Sequence, residues 1–134
     1  MAAQLLKKKG YSISAMNWKV GHLEMDVVAE NKNEIVFVEV KTRSTTYGDK
    51  RAEEYVDLLK KKRIVAAANA YIKYYNIEKR PRFDIVGIQI NRQTGEATEI
   101  VHLEDAFTPP MRTINKNSYS GNWRWKHRTK VIGR

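Results

Sequence analysis

The chain has 134 residues, 25 of them Lys or Arg against 15 Asp or Glu, and no cysteine; that is one domain's worth, able to bury about two-thirds of the surface its unfolded form exposes. Without cysteine, disulfides, thiolate zinc sites and thiol nucleophiles are excluded together. The longest apolar stretch, Ile64 to Ile72, is interrupted by Asn69 and falls short of the about 18 residues a membrane helix needs; Met1 to Gly10 lacks a signal-peptide core, so a cytoplasmic protein with no membrane contact is expected.

Residues 2–9 (AAQLLKKK) combine good helix formers with late lysines that suit the negative helix end, and Gly10 fits a left-handed cap. Tyr11, Ile13 and Ala15 alternate as in a strand running toward Val20, and Leu23 to Ala29 alternates again. Asn31-Lys32-Asn33 supplies turn chemistry, and Glu34 to Thr42 (EIVFVEVKT) has the β-branched content of a strand, so these last two runs should form a hairpin. Past a loop holding Tyr47-Gly48-Asp49, residues 51–75 lack Gly and Pro and return Tyr55, Leu58, Leu59, Val65, Ala68, Ile72 and Tyr75 near helical spacing. Pro81 breaks the pattern, Phe83 to Ile90 reads as a strand, Asn91 to Gly95 as a turn, and Ala97 to Leu103 as the partner strand. The fold class is therefore α/β, in the order α-β-β-β-α-β-β. Pro109-Pro110 closes a domain at residues 1–110, which carries a net charge of +3, while residues 111–134 carry seven cations and no acid and are expected to form a flexible basic tail.

Two acids and a lysine stand out: Asp26 on the first hairpin strand, and Glu39-Val40-Lys41 at the end of the second. A two-residue turn at Lys32-Asn33, or a four-residue loop from Asn31 to Glu34, sets Asp26 opposite Glu39 and Glu24 opposite Lys41 on one sheet face, with Val28, Ile35 and Phe37. Leu23, Met25, Val27, Val36 and Val38 then share the other face. A three-residue loop would instead set Asp26 opposite Val38, and turn chemistry alone does not choose between them. Two carboxylates facing each other at roughly 5 Å between Cβ atoms repel, which makes sense if a divalent cation such as Mg²⁺ sits between them. A lysine two residues past a metal-binding glutamate points to the same side and can orient a water beside the ion, which is equipment for phosphodiester hydrolysis. Glu-X-Lys also occurs on solvated strand faces, but here the face begins apolar, with Ile35 and Phe37, and ends in charge, as at the mouth of a buried site.

The run Gly21-His22-Leu23-Glu24-Met25-Asp26-Val27-Val28-Ala29, followed by Val36-Phe37-Val38-Glu39-Val40-Lys41-Thr42-Arg43, Tyr47-Gly48, Val56 with Lys60, and Arg82-Phe83-Asp84-Ile85-Val86, resembles the YraN-like family over about residues 2–105. Those proteins are similar to archaeal Holliday junction resolvases within the PD-(D/E)XK nuclease superfamily. The resemblance implies a restriction-endonuclease-like core, a central mixed five-stranded sheet flanked by helices. It also implies a Mg²⁺- or Mn²⁺-dependent endonuclease acting on structured or branched DNA, with a homodimer expected by analogy. Asp26, Glu39 and Lys41 match the catalytic motif, Asp26 and Glu39 with the Val40 carbonyl would hold the metal, and Glu24 is a possible additional acid. Resolvases place one more metal-site glutamate on a first helix longer than residues 2–9.

Arg43, Lys60 and Arg63 lie where phosphates could be neutralised, although a run such as Lys60 to Arg63 also suits a solvated helix face. In the tail, Trp123-Arg124-Trp125-Lys126 interleaves aromatics with cations, which suits base stacking with phosphate contact, or docking on the chain's own domain or a partner. His22, His102 and His127 show no mutual ligand spacing. Two alternatives to the nuclease stand: a DNA-binding protein on the same scaffold without turnover, and a protein-interaction module whose charged hairpin is only a surface.

Overall fold

The computed structural model describes residues 1–45 and 58–109, and residues 124–125 as backbone. In chain order the elements are α1 (Ala2–Lys8), β1 (Ser12–Val20), β2 (Leu23–Glu30), β3 (Glu34–Thr45), α2 (Leu58–Tyr75), β4 (Arg80–Asn91), β5 (Ala97–Leu103), β6 (Phe107–Thr108) and β7 (Arg124–Trp125). Strands β1 to β5 form one sheet in sequence order, with β3 and β4 parallel and the other neighbours antiparallel. The parallel step needs a crossover, which α2 supplies. The expected α-β-β-β-α-β-β order and mixed five-stranded sheet between helices are therefore both present.

Both faces of the sheet are covered, which is why β3 reads as a nearly continuous apolar run. Under α2, Val28, Ile35, Phe37, Phe83, Ile85, Val101 and Leu103 pack with Ile64, Val65, Ala68 and Tyr71. Under α1, Leu5 and Leu6 pack with Val27, Ala29, Val36, Val38, Val86 and Ile88. A polar cluster ties down the end of α1: Asp84, fully buried, accepts two bonds from Arg82 at 2.9 and 2.7 Å and lies 2.7 Å from His102 Nε2. Lys9 Nζ lies 2.7 Å from His102 Nδ1; an ammonium only donates, so the ring proton sits on Nε2 and points at Asp84. Burial alone would raise the Asp84 pKa, but the bonds from His102 and Arg82 outweigh it and hold the carboxyl below its usual range.

The hairpin register is the one that a Lys32-Asn33 turn or an Asn31 to Glu34 loop dictates: Val27 pairs with Val38, Val28 with Phe37, Ala29 with Val36 and Glu30 with Ile35. Asn31 closes the turn with its side chain, since its Oδ1 accepts from the N–H groups of Asn33 and Glu34 at 2.9 and 2.7 Å.

Two expectations need correction. Leu23 and Met25 do not join Val27 on the α1 face but pack with Val28 and Phe37 under α2. Met25 and Val27, two residues apart, face opposite ways, so alternation breaks at Asp26. The adjacent strand breaks with it: Met16 pairs with Val27 and Trp18 with Met25, and Asn17 between them adopts φ 50°. Asn tolerates this left-handed conformation better than most residues, so β1 and β2 turn over together without losing their pairing. Second, β4 begins at Arg80 rather than at Phe83, so Pro81 lies inside it. The Arg80 N–H donates to Asn33 O at 3.3 Å, so the Pro81 nitrogen faces the other side, which β5 covers only from Ile85 onward.

Residues 51–57, where the long helix is expected to begin, and the expected loop at Tyr47-Gly48-Asp49 lie outside the described residues, as does most of the tail. Within the tail, Arg124–Trp125 pairs antiparallel with β6.

Candidate active site

Pairing between β2 and β3 stops at Val27 and Val38. One step further, the Val40 N–H donates to Asp26 Oδ2 at 2.8 Å. A side-chain carboxylate thus substitutes for the backbone acceptor of a continuing ladder, and the turnover at Asp26 makes this possible. The bond fixes the Asp26 carboxylate at the point where the strands part.

Glu39 follows the alternation set by Ile35 and Phe37 and points under α2, where it is only 3% exposed. Lys60, from the first turn of α2 as described, reaches it with Nζ 3.5 Å from Oε2. The Glu39 pKa is pushed up to about 7, chiefly by burial and then by the negative charge of Asp26, whose side chain is also within hydrogen-bonding reach; Lys60 and, less, Lys41 pull it down. The two acids therefore do meet, just past the last paired residues, Val27 and Val38, where the strands splay.

Lys41, half-buried, lies beside Gly87 of β4, and Arg43, also half-buried, lies beside Gln89. Gly87 has no side chain to cover Lys41. Glu24 is exposed and pairs with Lys19 of β1, so the expected position opposite Lys41 is not formed, because the β2/β3 ladder ends before it. Arg63 is exposed on α2. Trp123 and Lys126 lie outside the described residues, and Arg124 and Trp125 enter only as the backbone of β7.

On the α1 side, a cleft of about 410 Å³ runs from the start of the helix to Asp26, with Ala2, Asn17, Val40 and Thr42 in its walls. Three side-chain environments, on either side of the sheet, escaped the sequence reading. Asn17 carries the turnover, Gln89 carries a buried Oε1 without a hydrogen-bond partner, and Lys61 is buried with its Nζ 5.6 Å from the Phe107 ring centre. Asn17 alone left a signal, as a turn-favouring residue inside a strand. Among the described residues no three His, Cys, Asp or Glu side chains converge. The donors available to a hard cation are the Asp26 and Glu39 carboxylates and neighbouring backbone carbonyls.

The family described as Uncharacterised protein family UPF0102 matches residues 1–88. The chain belongs to that family. A UPF0102 protein of Bacteroides thetaiotaomicron is 46% identical over 110 residues, covering 82% of this chain and 88% of the relative. One from Parabacteroides distasonis is 44% identical over 111 residues, covering 83% and 88%. A UPF0102 protein of Caldanaerobacter subterraneus is 42% identical over 109 residues, covering 80% and 88%. The UPF0102 match runs from α1 into β4, so it includes Asp26, Glu39, Lys41 and Lys60, whereas β5 and the tail lie beyond it.

Proposed function

We propose that the chain is a Mg²⁺- or Mn²⁺-dependent endonuclease that hydrolyses phosphodiester bonds in structured or branched DNA, as Holliday junction resolvases do. The observation that carries this reading is the enforced meeting of Asp26 and Glu39, one clamped by the Val40 N–H and the other buried against it with a raised pKa. Two carboxylates held this way oppose each other unless a proton or a cation lies between them. The donor set fits Mg²⁺, which binds through one or two carboxylates and keeps several waters. Asp26, Glu39 and the Val40 carbonyl would hold the ion, which when bound supplies Lewis acidity and an activated water. Lys41, on the face of Glu39 and uncovered by Gly87, positions a water or a phosphate oxygen. Arg43 and Arg63 carry the charge to neutralise flanking phosphates, and the basic tail with its Trp123 to Lys126 run extends that surface.

The test is metal-dependent cleavage of duplex, single-stranded, flap and four-way junction DNA. Asp26→Asn and Glu39→Gln should each lower cleavage at least a hundredfold while leaving DNA affinity within a few-fold. Equal cleavage by wild type and the double variant would overturn the proposal.

One observation favours a second reading, DNA binding without turnover. Lys60 already stands on Glu39, where its charge offsets part of the cost of burial and of the Asp26 charge. If that offset is the resting purpose of the pair, Mg²⁺ will not change the pH titration of Glu39, and no substrate will be cut.

A further inference from the structure

We infer that the outward face of α2 is a track for an unpaired DNA strand, with Tyr74 as the ring on which a base stacks. This deepens the DNA reading above and rests on it.

The helix from Leu58 to Tyr75 contains five cations and no acid. Lys60 and Lys61 are turned inward, to Glu39 and to the Phe107 ring. Lys62 is half-buried, while Arg63 and Lys73 are exposed. Between Arg63 and Lys73 the outward positions are Ala66, Asn69 and Ala70, short side chains that let a strand approach closely. Cations at both ends of a low surface suit a phosphate backbone.

At the C-terminal end, four aromatic rings form a connected stack. Trp18 and Tyr71 meet edge to face at 5.1 Å, Tyr71 and Tyr75 lie 4.5 Å apart, and Tyr74 meets Tyr75 at 4.8 Å and 84°. Tyr71 is only 5% exposed and roots the stack in the core, whereas Tyr74 is 75% exposed. Tyr74 is thus an open ring held on a rigid base. Glu30, the acid nearest in effect to Tyr71, is engaged by Lys79 at 2.8 Å and Ser14 at 2.6 Å, so its charge is countered.

Duplex DNA hides its base faces, so an open aromatic ring beside cations fits an unpaired base. A second copy of the chain fits less well, because a two-fold contact would set the described turns of this helix, with five cations and no acid, against themselves. Trp18 follows Asn17, which lies opposite Asp26, so the stack begins beside the candidate active site. Tyr74 lies about 21 Å along the helix axis from Lys60.

The experiment measures binding of the full chain, carrying Asp26→Asn to prevent cutting, to a fork with single-stranded arms and to a duplex of equal length. Tyr74→Ala should weaken fork binding about tenfold and leave duplex binding within twofold, and Tyr74→Trp should restore it. Arg63→Ala and Lys73→Ala should each make the slope of log K against log salt shallower by about one. Equal effects of Tyr74→Ala on fork and duplex, or none, overturn the inference. So does a loss of self-association in Tyr74→Ala by sedimentation with DNA preference unchanged. Cleavage by the chain with Asp26 intact separates the two claims: selectivity through Tyr74 without any cleavage supports this inference and sinks the hydrolase, whereas cleavage with selectivity unchanged in Tyr74→Ala sinks this inference alone.

Discussion

Glu39 is the residue whose environment departs furthest from that of an exposed carboxyl. With its folded pKa near 7 against an ordinary 4.5, the folded protein holds a proton that the unfolded chain releases. The resulting stabilisation is complete below about pH 4.5 and is lost as pH rises through about 7, a swing of about 3 kcal/mol. Urea unfolding should therefore give midpoints that fall between pH 5 and 8, and Glu39→Gln, which mimics the neutral carboxyl, should flatten that fall. Magnesium should act in the opposite sense, supporting the ionised pair, so an excess of the ion should restore stability at pH 8 in wild type and not in Glu39→Gln. The pair itself was legible as residues, because Asp26 and Glu39 are the acids a Lys32-Asn33 turn sets face to face. The partners that tune it were not. Lys60 to Arg63 reads as a uniform charge run, and only the packing of α2 shows that Lys60 goes to Glu39, Lys61 under Phe107 and Arg63 to solvent.

Among the elements, the β1/β2 ribbon carries the feature that pattern reading could not find. Alternation reveals which face a strand buries only when one face is polar, and Leu23, Met25, Val27 and Val28 are all apolar because both faces of this sheet are covered. The half-turn leaves no trace in that run, and its one mark in the sequence is Asn17 on β1. By contrast, β3 was readable from Glu34 to Thr42, since its register follows from the turn and that length from β-branched content, and the strand runs three residues further, to Thr45. The half-turn also gives a clear expectation for Asn17. A β-branched residue resists φ near 50°, so Asn17→Val should destabilise by about 1–2 kcal/mol, while Asn17→Gly should be close to neutral. Because Asn17 lies across from Asp26, the valine variant should also lose metal-dependent activity beyond what its stability explains, which cleavage at a temperature well below both melting points would reveal.

For the whole molecule, charge is concentrated at one end, with a net +7 on residues 111–134 against +3 on the rest. Ending the chain after Pro109 should weaken binding to all DNA alike and make the slope of log K against log salt shallower by as much as ~6. An unchanged slope would dismiss the tail as a DNA contact. The parallel β3/β4 ladder bears on a different property, the order in which the molecule assembles. All its partners are 46 residues apart, from Glu34 with Arg80 to Thr45 with Asn91, whereas β1, β2 and β3 can zip through short local turns. Closing that long span is entropically costly before any contact rewards it, so the arrival of β4 should limit the folding rate. Val86→Ala, at the centre of β4, should then slow refolding in stopped-flow measurements, while Ile13→Ala in the outer strand should mainly speed unfolding. Asp26 and Val40, both carried by the hairpin, can meet before the core closes, and burial of Glu39 waits for α2. A nascent chain would thus display its two acids to solvent and turn them into an opposed, buried pair only once α2 packs over Glu39.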